Sequence, residues 1–254
     1  MKKIIITSLI IAGAFFTSCD DSSTTGNVSK VTNYPVITVT GDDPYFVPLG
    51  TEYTDPGAVA MAGDTEIPVI TTAVGKYRGE STLNTNVADE YVVTYSAENS
   101  DGFFGTAQRT VIVYKTGDLV TSIEGVYRST TRRNGSLLPA SQGSSVDQEY
   151  IYIWKNGDGT YGVSDAFGGW YSIGRKIGVT SATQGGLIAG DIPTNTFTFP
   201  GNPLGNQYFG GVANITDVQV NPVDKTVILT TTWVAPGNPP TNYTFVSTLT
   251  QVQL

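Results

Sequence analysis

Asp89 to Gly102 reads DEYVVTYSAENSDG, and this stretch decides the fold class. Tyr91, Val93, Tyr95 and Ala97 share one face at the two-residue period of a strand, while Val92, Thr94 and Ser96 share the other. One face is apolar and the other mixed, the pattern of a strand buried on a single side. Asn99, Asp101 and Gly102 then supply turn chemistry, and TAQRTVIVY (106–114) follows as the next strand. β-Branched and aromatic residues dominate both runs, and no helical period competes.

Upstream, VITVT (36–40), YFVPL (45–49) and IPVITT (67–72) have the same composition. Asp55-Pro56-Gly57 is a turn, since proline presets one φ and glycine accepts the positive φ that follows. About seven strands in roughly 80 residues predict a β-sandwich. Asp89-x-Tyr91-x-Val93 has the spacing of a tyrosine corner, with Val93 where an antibody domain carries its second cysteine. The run PVITVTGDDPYFVPLGTEYTDPGAVA, together with VADEYVVTYSAENSDGFFGTAQRTVIVY, resembles the bacterial immunoglobulin-like domains of cell-surface proteins. That resemblance implies a spacer or stalk and transfers no catalytic residue. Asp42 with Asp43, and Asp64 with Glu66, lack the six to eight oxygens that calcium takes and read as solvated loop acids.

After a junction at Leu119–Ser122 the strand pattern restarts with IEGVYRST (123–130). Further strands are predicted at QEYIYIW (148–154), TYGVSD (160–165), WYSIG (170–174) and TFTF (196–199). VANITDVQV (212–220), KTVILTTTWV (225–234) and NYTFVSTLTQVQL (242–254) complete the set, with turns at Asn156-Gly157-Asp158-Gly159 and Asn221-Pro222. Apart from TFTF, the glycine-rich stretch 185–211 is assigned no element. Eight or more consecutive antiparallel strands predict a barrel or a curled sandwich. The expected fold is therefore all-β: an immunoglobulin-like sandwich at 33–118 and a curled domain at 119–254. The opening Gly125-Val126-Tyr127 and the long final hairpin resemble the lipocalin-like C-terminal domains of Bacteroidetes lipoproteins, which implies a place beside Sus-type polysaccharide-uptake systems.

Residues 1–18, MKKIIITSLIIAGAFFTS, read as a signal peptide. Their apolar run is about 13 residues, short of the roughly 20 needed to span a bilayer as a helix. Cys19 is the sole cysteine and follows small residues, which resembles the lipobox of bacterial lipoproteins, although Phe16 stands where that family usually has an aliphatic residue. The resemblance implies a diacylglyceryl thioether at Cys19 and a membrane anchor, each buried methylene contributing about 0.8 kcal/mol. The competing reading is an incidental thiol beyond an ordinary cleavage site. Residues 19–32 read as a flexible tether, and Asp20-Asp21 resembles the acidic export tag of Bacteroidetes surface lipoproteins. The address implied is the outer membrane, lipid-anchored and facing outward.

The formal charge is −8, and the largest basic cluster is Arg132-Arg133, so nucleic acid is not an expected partner. With no histidine and one cysteine in the tether, Ser-His-Asp and Cys-His chemistry is excluded; no catalytic residue, metal or cofactor is expected. A carboxylate pair, Glu149 with Asp165, remains as a glycosidase-type alternative. All three tryptophans, Trp154, Trp170 and Trp233, fall in the second half, and FGGWY (167–171) sets Phe167, Trp170 and Tyr171 beside two glycines. Exposed rings can lie against sugar faces, so these five are candidate glycan contacts; buried, they are core. Trp170 is the one expected to face outward, because the glycine pair permits an open loop. The expected function is glycan binding in support of polysaccharide uptake, with Sus-type transporter components as possible partners; the alternative is a structural or adhesive lipoprotein with protein partners.

Overall fold

The alternation in residues 89–99 is realised directly. In a computed structural model that describes residues 31–254, Tyr91, Val93, Tyr95 and Ala97 are buried and their neighbours are half-buried. The signal segment, Cys19 and nearly all of the tether lie outside the described residues. The first seven strands are β1 (Pro35–Val39), β2 (Tyr45–Pro48), β3 (Ala58–Ala62), β4 (Thr65–Ile67), β5 (Ile70–Gly75), β6 (Asp89–Glu98) and β7 (Phe104–Tyr114). They form two small sheets, β1-β3-β4 and β2-β7-β6-β5, with β2 parallel to β7. Val47, Tyr91, Val93, Tyr95, Val111 and Val113 fill the space between them.

Two signals of the sequence acquire physical content here. The Tyr91 hydroxyl donates to backbone carbonyls at Val87 and Asn84, each 3.0 Å away, which is the tyrosine corner that the spacing predicts. Burial pushes its pKa up to about 12. The TDPG turn presents Asp55, whose Oδ1 receives Tyr95 (2.6 Å), Tyr53 (3.1 Å), the Gly57 amide (3.1 Å) and the Arg109 guanidinium (2.7 Å). Arg109 is fully buried, so Asp55 is the countercharge that permits it to sit between the sheets.

The second half continues with β8 (Gly125–Arg133), β9 (Gln148–Lys155), β10 (Tyr161–Val163), β11 (Gly186–Asp191) and β12 (Thr196–Thr198). It ends with β13 (Leu204–Gly205), β14 (Val212–Asn221), β15 (Thr226–Ala235) and β16 (Thr241–Gln251). These nine strands form one antiparallel sheet in the order β12-β11-β10-β9-β8-β16-β15-β14-β13. The sheet curls strongly into a half-barrel whose two edges are not paired with each other. Register shifts at Tyr127/Ser129 and Ile215/Asp217 are the bulges that increase its twist.

Two sequence expectations need correction. WYSIG (170–174) is not a strand but one π-helical turn, in which the Gly174 amide donates to Gly169 O over 2.8 Å. The cause is the glycine pair before it: Gly168 (φ 60°) and Gly169 (φ 84°) are left-handed, and a Cβ on Gly168 would collide with Ser247 and Thr131. The glycine-rich stretch 185–211, in which TFTF alone is expected as a strand and is realised as β12, also contributes β11 and β13. The segment around Ala166–Ala182 enters the concave side of the sheet and plugs it, with Ala166, Phe167, Trp170 and Tyr171 in the core.

The two halves are packed together. Ile112, Val126 and Tyr152 form a shared core flanked by Phe46, Tyr77 and Trp154. The Tyr152 hydroxyl crosses the junction to Glu90 Oε2 (2.8 Å), and the Arg78 guanidinium lies 5.3 Å from the Trp154 ring.

Candidate ligand-binding site

Along β8 the two-residue period places Tyr127, Ser129, Thr131 and Arg133 on the concave face, and the first three are fully buried. Ser247 on β16 and Thr231 on β15 continue this polar patch. A curled sheet that closes on a backbone segment must satisfy that segment's polar groups, and these hydroxyls do so. Ser129 Oγ and Thr131 Oγ1 each lie 2.8 Å from Gly168 O, and Thr231 Oγ1 donates to Ala166 O at 2.7 Å. Asp165 fixes the other end of the plug: it accepts from the amides of Phe167 (2.9 Å) and Thr183 (3.0 Å) and from Ser172 Oγ (2.6 Å). Burial raises its pKa against the opposing pull of these hydrogen bonds.

The candidates of the sequence reading separate into two groups. Phe167, Trp170, Tyr171 and Trp233 are 0, 1, 3 and 4 % exposed. They gather around Phe245, with ring centroids 4.3, 6.1, 6.1 and 6.5 Å away. The outward-facing Trp170 expected from the glycine pair is therefore corrected: the glycines turn the chain into the concave side instead of out to solvent. Trp154 is apart from this group, half-buried at the domain junction. The carboxylates also part company, since Asp165 is sealed inside the plug while Glu149 is exposed and bonded to Arg128. No group of three or more acidic, histidine or cysteine side chains converges to suit a metal among the described residues.

What the buried aromatics do is floor a surface that the sequence reading did not identify. Arg133, the last concave-face residue of β8, reaches the open mouth of the half-barrel, where it is half-buried. Its guanidinium donates to the Tyr171 hydroxyl (2.8 Å) and lies 5.1 Å from the Trp170 ring and 4.7 Å from the Tyr243 ring. Tyr243 stacks on Trp233 at 5.6 Å and 26°. Phe209 packs on Tyr171 (4.6 Å), and Tyr208, 58 % exposed, packs on Phe209 (4.7 Å). Arg175, exposed, lies 5.8 Å from the Tyr171 ring. The result is a strip of ring faces and edges with two guanidiniums beside it, supported from below by a rigid core. The alternation of β8 carried a signal for Arg133. Tyr208 and Phe209 carried none, lying in a stretch with no readable period.

Comparison with known proteins fits this two-part plan. Residues 37–113 match the model of the Ig-like domain of bacterial surface proteins. Residues 116–251, more than half of the chain, match a family model that describes a C-terminal domain. Among solved structures, the lipoprotein BT2262 from Bacteroides thetaiotaomicron superposes with a TM-score of 0.61 at 22 % identity, over 86 % of this chain and 100 % of that one. At that identity the likeness is one of fold. No curated protein matches the sequence.

Proposed function

We propose that this chain, which belongs to the family defined by that C-terminal domain, is a lipid-anchored surface protein that binds glycans at the mouth of its half-barrel. The observation that carries the reading is the strip formed by Tyr208, Phe209 and Tyr243 beside Arg133: partly exposed rings on a packed floor, with hydrogen-bond donors at their edge. Sugars present apolar ring faces to aromatics and hydroxyls to nearby polar groups. A preformed floor spares the ordering cost of binding. The anchor is the Cys19 thioether, supported by the surface-protein domain model and by the solved lipoprotein of the same fold. The chain acts by holding its ligand without chemical turnover, in service of a polysaccharide-uptake system at the outer membrane.

The test follows tryptophan emission while the mature protein is titrated with a panel of polysaccharides. Ligand seated on Tyr243 perturbs Trp233, its stacked cross-strand neighbour, so emission shifts with at least one glycan. Tyr243→Ala abolishes the shift, and Trp154→Phe, at the distant junction, leaves it. Absence of any shift across the panel, together with no retention on the same glycans immobilised, sinks the reading.

A second reading rests on a different surface. Tyr34, Phe103 and Phe104 are 60, 41 and 67 % exposed at the β6–β7 hairpin, and Tyr34 packs edge-on against Phe103 at 4.9 Å. Such a patch suits a protein partner, which is the adhesive or structural role. Cross-linking on cells that captures one defined surface protein, and loses it with Phe104→Ser, supports that role over the first.

A further inference from the structure

The mouth is electrostatically unlike the rest of the molecule. Four segments converge there, residues 131–146, 166–182, 199–212 and 231–246, tied together by Arg133 on Tyr171, Asn134 on Thr244, Tyr171 on Phe209 and Trp233 on Gly210. Together these segments hold Arg133, Arg175 and Lys176, with Arg132 on the opposite face of β8, and not one of the chain's 22 acidic residues. In a protein of net charge −8 this is a cationic opening in an acidic body.

The arginines are also uncommitted. Arg109 and Arg128 have carboxylate partners; among the described residues neither Arg133 nor Arg175 has one within 4.0 Å. Arg133 is nonetheless held in place, by two rings and by the Tyr171 hydroxyl, and its other N–H groups have no partner among the described residues. A guanidinium positioned in this way, half-exposed and without a countercharge, matches the bidentate geometry of a carboxylate or sulfate.

We infer that the ligand at this mouth is an anionic glycan, one whose sugar rings lie on Tyr243 and Tyr208 while a carboxylate or sulfate group bonds to Arg133 with Arg175 beside it. This rests on the glycan-binding reading above and narrows it to acidic sugars. Neutral polysaccharides would leave both arginines without a countercharge, and acidic peptides would leave the ring faces uncovered.

The experiment uses the mature protein with two acidic probes, polygalacturonate and chondroitin sulfate, and two neutral ones, amylopectin and dextran. At least one acidic probe is expected to bind, with an affinity that falls as salt rises from about 0.05 to about 0.5 M, as screening requires. Arg133→Gln weakens it about tenfold or more, the loss of a charge-assisted hydrogen bond. Arg175→Gln, a change at an exposed side chain, weakens it less. Unchanged thermal unfolding in Arg175→Gln separates this loss from misfolding. Binding of only the neutral probes overturns the inference and leaves the glycan reading standing. Acidic binding indifferent to both arginine variants overturns it as well, and binding of none of the four overturns both.

Discussion

Two arginines, Arg109 in the first domain and Arg133 in the second, occupy equivalent situations and have opposite fates. Each projects from a strand toward the interior, each lies over an aromatic ring (Tyr95 at 5.7 Å, Trp170 at 5.1 Å), and each bonds to a tyrosine hydroxyl. Arg109 is completely buried and meets Asp55; Arg133 is half-buried and meets no carboxylate. The first must be neutralised within the protein, because an unpaired charge so deep is penalised by several kcal/mol. The second keeps contact with water, so its countercharge can come from outside. An inward arginine is thus no sign of a site by itself; one left without an acid partner, on a packed floor, is a candidate for one.

The sharpest way to break the comparison is to remove the internal countercharge. Asp55→Asn leaves Arg109 buried against an amide, and stability should fall by about 3 kcal/mol, the low end for breaking a buried pair because Asp55 is itself 28 % exposed. Urea unfolding followed by circular dichroism measures it, and the proposed glycan binding at the mouth is expected to survive in the refolded protein. The same contact predicts a pH dependence. Burial raises the Asp55 pKa, but the hydroxyl of Tyr95, the Gly57 amide, the Tyr53 hydroxyl and the Arg109 charge outweigh it, so the folded value lies below normal. A depressed carboxylate stabilises fully above the unfolded pKa of about 3.9 and loses that contribution as pH falls through the folded value. The wild type should lose melting temperature below about pH 4 more steeply than Asp55→Asn does.

How much of this was legible depends on whether a local period carried it. β6 and β7 could be read because every second residue is apolar, and the tyrosine corner and TDPG turn are local spacings whose bonds form within 7 residues or through one turn. The partner of the TDPG turn was not legible: nothing in the sequence joins Asp55 to Arg109, 54 positions away. The plug failed for a related reason. WYSIG has strand composition, and only the tertiary demand on Gly168, whose hydrogen meets Ser247 and Thr131, turns it inward. The mouth is built from four separated segments, so its charge pattern is present in the sequence but its convergence is not.

A second contrast lies at the domain junction. There the charge is shared between the halves: Glu90 takes the Tyr152 hydroxyl at 2.8 Å from one domain and Lys76 at 2.7 Å from its own. Tyr152→Phe should cost about 1.5 kcal/mol, as for a hydrogen bond to a charged group, and less than Asp55→Asn because Lys76 still compensates Glu90. The measurement is the same urea transition, and a split into two transitions would show that this hydroxyl couples the halves. A loss as large as that of Asp55→Asn would mean that Lys76 does not compensate Glu90.

The smallest expected effect is the most informative. Arg133→Gln removes a cation–π contact, about 0.5–1 kcal/mol at a partly exposed site. A glutamine can still offer the Tyr171 hydroxyl a hydrogen-bond partner, and no carboxylate is stranded by the change. The net loss of stability should be about 1 kcal/mol or less. Arg109→Gln, by contrast, leaves Asp55 without its cation and the space between the sheets without its largest polar side chain. If Arg133→Gln destabilised the protein as much as Arg109→Gln, Arg133 would be a structural residue that happens to reach the surface. Near-equal stability with a large loss of affinity would instead assign its charge to the ligand, because water screens a half-exposed cation in the free protein and only the bound state would then depend on it.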